Sequence, residues 1–232
     1  MRNIINVLIC LLLVVNTSKA QNLIDDLKAV SSRIDSAESA DIRVICNVYT
    51  QKGGDIISTV NTGIIKKGKL SVSLFEEMEI LTNDKYGVYV NKESQSITII
   101  SKSKHTSRLK AFNDKGIDQF VSWMKQQQKK ATFNPVLISE EGSIRTYAVR
   151  NLDDNLKEVI VSVDVKQKKL LKISYEFSEL SSQKQKYILL NYSKYLVNDS
   201  EIHLNQNDYY MQQSGKFLPG NKYKSYSITT DL

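Results

Sequence analysis

Few residues in this chain have the chemistry to act as catalysts, and their spacing argues against most reactions. Cys46 lies in Ile42-Arg43-Val44-Ile45-Cys46-Asn47-Val48, on the alternating face it shares with Ile42, Val44 and Val48. A thiol there reads as a small buried hydrophobe. His105 and His203 sit in polar, charged surroundings, so no Cys–His pair and no zinc site of the usual type is expected. No nucleophile elbow, phosphate-binding glycine loop, H-E-x-x-H helix or dinucleotide fingerprint occurs. The acidic pairs Glu76-Glu77, Glu140-Glu141 and Asp153-Asp154 fall beside turn signals, where solvated charge is ordinary. The chain therefore reads as a non-enzymatic protein with no catalytic residue, cofactor or metal.

Binding chemistry is better represented. Lys66, Lys67 and Lys69 crowd one turn, and Lys166, Lys168 and Lys169 another. Near the end, Tyr209, Tyr210, Phe217, Tyr223 and Tyr226 interleave with Lys216, Lys222 and Lys224. Basic plus aromatic is the composition of a nucleic-acid stacking surface. Here, however, acids and lysines alternate along the whole length, so no nucleic-acid partner is expected. The aromatic tail reads as a closing strand or as a contact surface for an envelope partner. Trp123 and Met124 lie on a predicted helix and suit an apolar cavity that adapts to an acyl chain. Asn191-Tyr192-Ser193 and Asn198-Asp199-Ser200 match the glycosylation triplet, a pattern too short to carry weight in a chain rich in Asn and Ser.

The compartment is written in the first twenty residues. Arg2 precedes an apolar run from Ile4 to Val15, and Ser18-Lys19-Ala20 places small residues before a cut at Gln21. The run is too short to span a bilayer, which takes about 20 residues. Cys10 lies inside that run, with too little sequence before it for a lipidation cut. Residues 1–20 are thus predicted to be a cleaved signal peptide. The product is a soluble periplasmic or secreted protein without a transmembrane segment. Loss of Arg2 and Lys19 takes the formal charge from +7 to +5. Residues 21–232 are read as a single curved-sheet domain with an aromatic C-terminal tail.

The elements that must position these residues follow from periodicity. Leu23, Leu27, Val30 and Ile34 mark an amphipathic helix over 22–37, capped by Asn22. The period then drops to two. Strands are predicted at Ile42–Thr50, Ile56–Ile65, Leu70–Leu74, Glu79–Thr82, Tyr86–Val90 and Ile97–Ile100, joined by tight turns. Ile117, Phe120, Val121 and Met124 share one stripe of a central helix, with Trp123 beside it. Four more strands follow at Arg145–Val149, Glu158–Val165, Leu170–Phe177 and Tyr187–Tyr192. In the hairpin, Val159, Val161, Val163 and Val165 face Leu171, Ile173, Tyr175 and Phe177 across a Lys166–Lys169 turn. About ten strands are too many to stay flat. The expected fold is α+β and mainly β: a strongly curved antiparallel sheet, an incomplete barrel, covered by the N-terminal and central helices.

This order resembles the periplasmic lipoprotein-carrier family with the LolA/LolB-like fold. The segments that carry the likeness are Ile42-Arg43-Val44, Gly63-Ile64-Ile65-Lys66-Lys67-Gly68 and Glu79 to Tyr89. In the later strands they are Val159 to Asp164 with Leu170 to Ile173. The resemblance implies an apolar interior that carries acyl chains of a lipid or lipoprotein. Val44, Val72, Val88, Val161, Trp123 and Met124 are the candidate lining. It further implies that Arg43 holds a helical lid closed. The alternative is a packed envelope protein that docks a partner through its aromatic tail.

Overall fold

A computed structural model describes residues 22–104, 126, 134–150, 155–179, 181 and 185–232. The predicted signal peptide, His105 and the central helix with Trp123 and Met124 lie outside the described residues. The expected fold class is observed: mainly β, with a large, curved, unclosed sheet dominated by antiparallel pairs.

Residues 22–35 form helix α1. Six strands follow: β1 (Ser39–Tyr49), β2 (Ile56–Lys67), β3 (Leu70–Phe75), β4 (Met78–Thr82), β5 (Tyr86–Asn91) and β6 (Ser96–Ser101). The second set is β7 (Val136–Glu141), β8 (Ile144–Arg150), β9 (Leu156–Asp164), β10 (Lys169–Phe177) and β11 (Tyr187–Val197). The tail adds β12 (Tyr210–Gln213), β13 (Lys216–Pro219) and β14 (Ser227–Asp231). The main sheet runs β14-β6-β5-β4-β3-β2-β1-β11-β10-β9-β8-β7, and β12 pairs with β13 separately.

Three features add to or alter the expected strands. β7 follows Pro135 as a strand of its own, with a register shift between Leu137 and Ser139. β14 adds to β6 in parallel, so the tail does close one edge. In the β9–β10 hairpin a register shift between Leu170 and Lys172 exchanges faces, and Leu170 rather than Leu171 is buried. A bulge of this kind admits one extra residue and flips the alternation beyond it.

The described residues fall into two compact units. One draws on the chain up to Asp35, on Asn47–Ser58 and on Ile117–Asn191. The other draws on Ser36–Cys46, Thr59–Gly116 and Tyr192–Leu232.

In the first unit, Leu23, Ile24, Leu27 and Val30 of α1 are buried. Tyr147, Val161 and Ile173 are register partners on one sheet face and are equally buried. Polar contacts place α1 over this face. The Tyr147 hydroxyl donates to Asp26 Oδ2 at 2.6 Å. Arg145 lies 3.6 Å from the same carboxylate and bonds Glu140 at 2.8 Å. Arg33 donates to the Gln167 carbonyl. Burial, then the bond to Asp26, pushes the Tyr147 hydroxyl well above its usual range, so it remains a donor.

In the second unit, Val72, Leu81, Val88 and Ile99 are successive register partners. With Val90 and Ile97 they form a core with Tyr209, Tyr210 and Tyr223 of the tail. Asn198 clasps the start of β1: its side-chain oxygen accepts from the Glu38 and Ser39 amides at 2.8 and 3.3 Å. Its glycosylation triplet is therefore engaged in structure.

A hydrogen bond to a charged group contributes about 1.5–3 kcal/mol. Tyr147→Phe is accordingly expected to lower the stability of the fold by about 2 kcal/mol. Urea denaturation checks this through a lower midpoint at constant slope. An unchanged midpoint would detach α1 from this contact.

Candidate functional site

On β3, β4 and β5, the face that carries Val72, Leu81 and Val88 is apolar apart from one carboxylate. On β4, Glu79 shares a face with Leu81 and lies opposite Leu74 of β3 and Val90 of β5. An unpaired carboxylate there would cost several kcal/mol. The tail resolves the conflict. After β11 the chain makes a 3-10 turn at Gln206–Asp208, runs through β12 and β13, and makes a second 3-10 turn at Asn221–Tyr223. This path brings two groups to the carboxylate, and a strand turn supplies a third. Lys222 Nζ lies 2.9 Å from both Glu79 oxygens. The Tyr209 hydroxyl donates to Oε2 at 2.8 Å, and Lys92 of the β5–β6 turn approaches Oε1 at 3.1 Å.

The Glu79 side chain is 4% exposed, whereas that of Lys222 is 50% exposed. The lysine stem thus runs in from the surface and buries only its head. Burial alone would raise the Glu79 pKa, but the bonds from Lys222 and Tyr209 outweigh it and bring it down to about 2. Burial and the neighbouring carboxylate push the Tyr209 and Tyr223 hydroxyls far upward. The Tyr223 hydroxyl is buried beside Glu79 but outside hydrogen-bond geometry.

Rings complete the closure. Tyr209 and Tyr223 lie 5.7 Å apart, and Tyr223 and Tyr226 5.0 Å. Tyr86 of β5 meets Phe217 edge-on at 5.3 Å and Tyr210 at 6.1 Å. Asn83 donates to the Tyr210 hydroxyl at 2.9 Å and to Gln206 at 2.8 Å. Gly220 lies flat on the chain before β12: a Cβ there would sit 2.4 Å from the Asp208 carbonyl carbon. Only glycine permits that approach.

The sequence candidates fall as follows. Val72 and Val88 belong to this core with no exposed surface, and the tail rings pack in the same cluster. Val161 is fully buried in the first unit, and Val44 of β1 is half-buried. Arg43 bonds Asp41 on its own strand, Nε to Oδ1 at 2.5 Å, and Asp41 also pairs with Lys194 at 2.7 Å. These two cations hold the Asp41 carboxyl below its usual range against the opposing effect of burial. Space for Arg43 comes from Gly63 of β2, where a Cβ would meet Arg43 Cδ at 2.9 Å and the Ile42 carbonyl at 2.4 Å.

Sequence reasoning passed over Glu79 and read Lys222 only as part of a basic tail. The available signal was an acid at the alternating position with Leu81, inside an otherwise apolar strand. Three of the five rings assigned to a possible docking surface, Tyr209, Tyr210 and Tyr223, lie in the core instead.

No protein-family model matches the chain, and no curated protein does. Solved structures of similar fold include an uncharacterised conserved protein of Thermus thermophilus. It has 6% identity and a TM-score of 0.40 over 88% of this chain and 98% of that one. A second is a putative outer membrane lipoprotein-sorting protein domain of Vibrio parahaemolyticus, at 9% identity and a TM-score of 0.32 over 82% and 96%. A third is a LolA superfamily protein of Nitrosomonas europaea, at 10% identity and a TM-score of 0.27 over 74% and 93%. Among the described residues, no helix is long and apolar enough to cross a membrane.

The depressed Glu79 pKa has a signed consequence. A carboxyl whose folded pKa lies below its ordinary 4.5 stabilises the fold fully above that pH and progressively less as pH falls toward about 2. The shift corresponds to about 3 kcal/mol at neutral pH. Urea midpoints of wild type and Glu79→Gln are therefore expected to converge between pH 4.5 and 2.5. A constant offset across that window would remove Glu79 from the acid response.

Proposed function

We propose that this is an exported, non-enzymatic binding protein that shelters a hydrophobic ligand against its curved sheet. Acyl chains of a lipid or lipoprotein fit it best. The supporting observation is the manner of closure in the second unit. The apolar rows of β3 to β6 are covered by one segment of chain before β14, whose side-chain bonds to the strands include those at Glu79 and at Asn83. Such a cover can lift as a piece and leave the strand face for a ligand. Export rests on residues 1–20, read as a signal peptide.

Magnitudes set the class of ligand. Lifting the cover re-exposes the rings of Tyr209, Tyr210 and Tyr223, each worth about 1.5–3 kcal/mol when buried. Methylenes contribute about 0.8 kcal/mol each, so roughly six to eleven are needed to offset the loss. Long acyl chains meet that requirement and short ones do not. A packed envelope protein that docks through its tail is the second reading. It draws on the complete burial of Val72, Val88 and Val161, but the inward-facing tail rings weaken its docking half.

Native mass spectrometry with lipid extraction, on protein purified from an envelope fraction, is the direct test. The expected result is a lipid or lipopeptide at near one-to-one. A fluorescent acyl probe should then be displaced by fatty acids from about twelve carbons upward, with affinity rising with length. A clean unliganded mass with no probe displacement at any length would overturn this reading and favour the packed protein.

A further inference from the structure

The head of Lys222 enters a ready-made receptor. Its Nζ lies 5.5 Å from the Tyr209 ring centroid and 5.1 Å from that of Tyr223, and it bonds both Glu79 oxygens. Two aromatic faces converging on a buried carboxylate make the arrangement that recognises an ammonium group. The walls have supports of their own. Tyr209 is held by its bond to Glu79, and Tyr223 packs against Tyr209 and Tyr226. Lys92 stays on the carboxylate from the opposite strand turn. Gly220, flat on Asp208 and Tyr209, and its bond to the Tyr209 carbonyl at 2.9 Å fix the backbone that carries both rings. None of these supports passes through the Lys222 side chain, whose half-exposed stem enters from solvent.

We propose that the Glu79–Tyr209–Tyr223 cage is a binding site for the primary ammonium group of a ligand, and that Lys222 fills it in the closed protein. Rotation of the lysine stem vacates the cage without dismantling it, and the incoming ammonium takes over the bonds to both carboxylate oxygens. That demand selects a primary ammonium, which has three N–H donors, over a quaternary one, which has none. Leu74 and Val90, the cross-strand neighbours of Glu79, give the rest of the ligand an apolar bed. The chemical class is a primary alkylammonium, and an aminoethyl-headed amphiphile is its membrane form. The proposal rests on the ligand-binding reading only for this apolar portion.

The test uses the full chain and n-butylammonium chloride, whose tail is too short for the acyl requirement above. Failure here therefore leaves that reading untouched, and the converse also holds. Lys222→Ala should unfold at a lower temperature than wild type. Tens of millimolar butylammonium should raise its Tm by several degrees. Tetramethylammonium chloride and sodium chloride at equal ionic strength should not, and Lys222→Ala/Glu79→Gln should not respond. In wild type the same probe should shift the Tyr209 and Tyr223 ring resonances, with half-saturation at least tenfold higher because Lys222 competes. If Lys222→Ala folds only in butylammonium, that is the same rescue. If it folds in none of the salts, Lys222→Met, which keeps the stem, replaces it, and the wild-type ring shifts decide. Equal effects of the three salts overturn the proposal. So does rescue of the variant without ring shifts in wild type, which would make Lys222 a permanent latch.

Discussion

A carboxylate on the buried face of a strand has to be neutralised by something, and in the second unit that requirement organises everything above the sheet. Glu79 stands between Leu74 and Val90, where water does not reach. Its charge is balanced by Lys222 from the tail and Lys92 from a strand turn, and its remaining acceptor capacity is met by Tyr209. A purely apolar position would hold the tail by area alone, in any of several registers. The carboxylate allows one, because only one alignment brings an ammonium and a phenol to it together.

The first unit closes its apolar face with related chemistry and different parts. There the buried tyrosine belongs to the sheet and the carboxylate to the cover, as Tyr147 donates to Asp26 of α1. In both units a phenol–carboxylate bond sets the position of a covering segment whose adhesion is otherwise hydrophobic. The area supplies the free energy and the polar bond supplies the alignment.

Arg43 shows how a residue's strand can be read without its surroundings. Its place on β1 is evident from alternation. Its partner Asp41 is on the same strand, but the Lys194 that shares this carboxylate and the groove over Gly63 that admits the Arg43 side chain come from other strands. Gly63 lies within a period-two run that does not reveal why a glycine stands there. Its meaning is the 2.4 Å approach of the Ile42 carbonyl to its missing Cβ, a distance that arises only when β1 and β2 are side by side.

Much of the fold was written in local pattern. The period-two runs marked β1 to β6 and β8 to β11, and the helical stripe of Leu23, Leu27 and Val30 marked α1, because side-chain alternation follows directly from backbone geometry. The bulge that turns Leu170 inward, the parallel addition of β14 to β6 and the strand at Val136–Glu141 were not legible, since each depends on a partner strand and not on its own residues. The tail is the clearest case. Its composition announced rings and lysines, yet whether they face solvent or core depends on a single acid about 140 positions earlier, and only folding brings the two together.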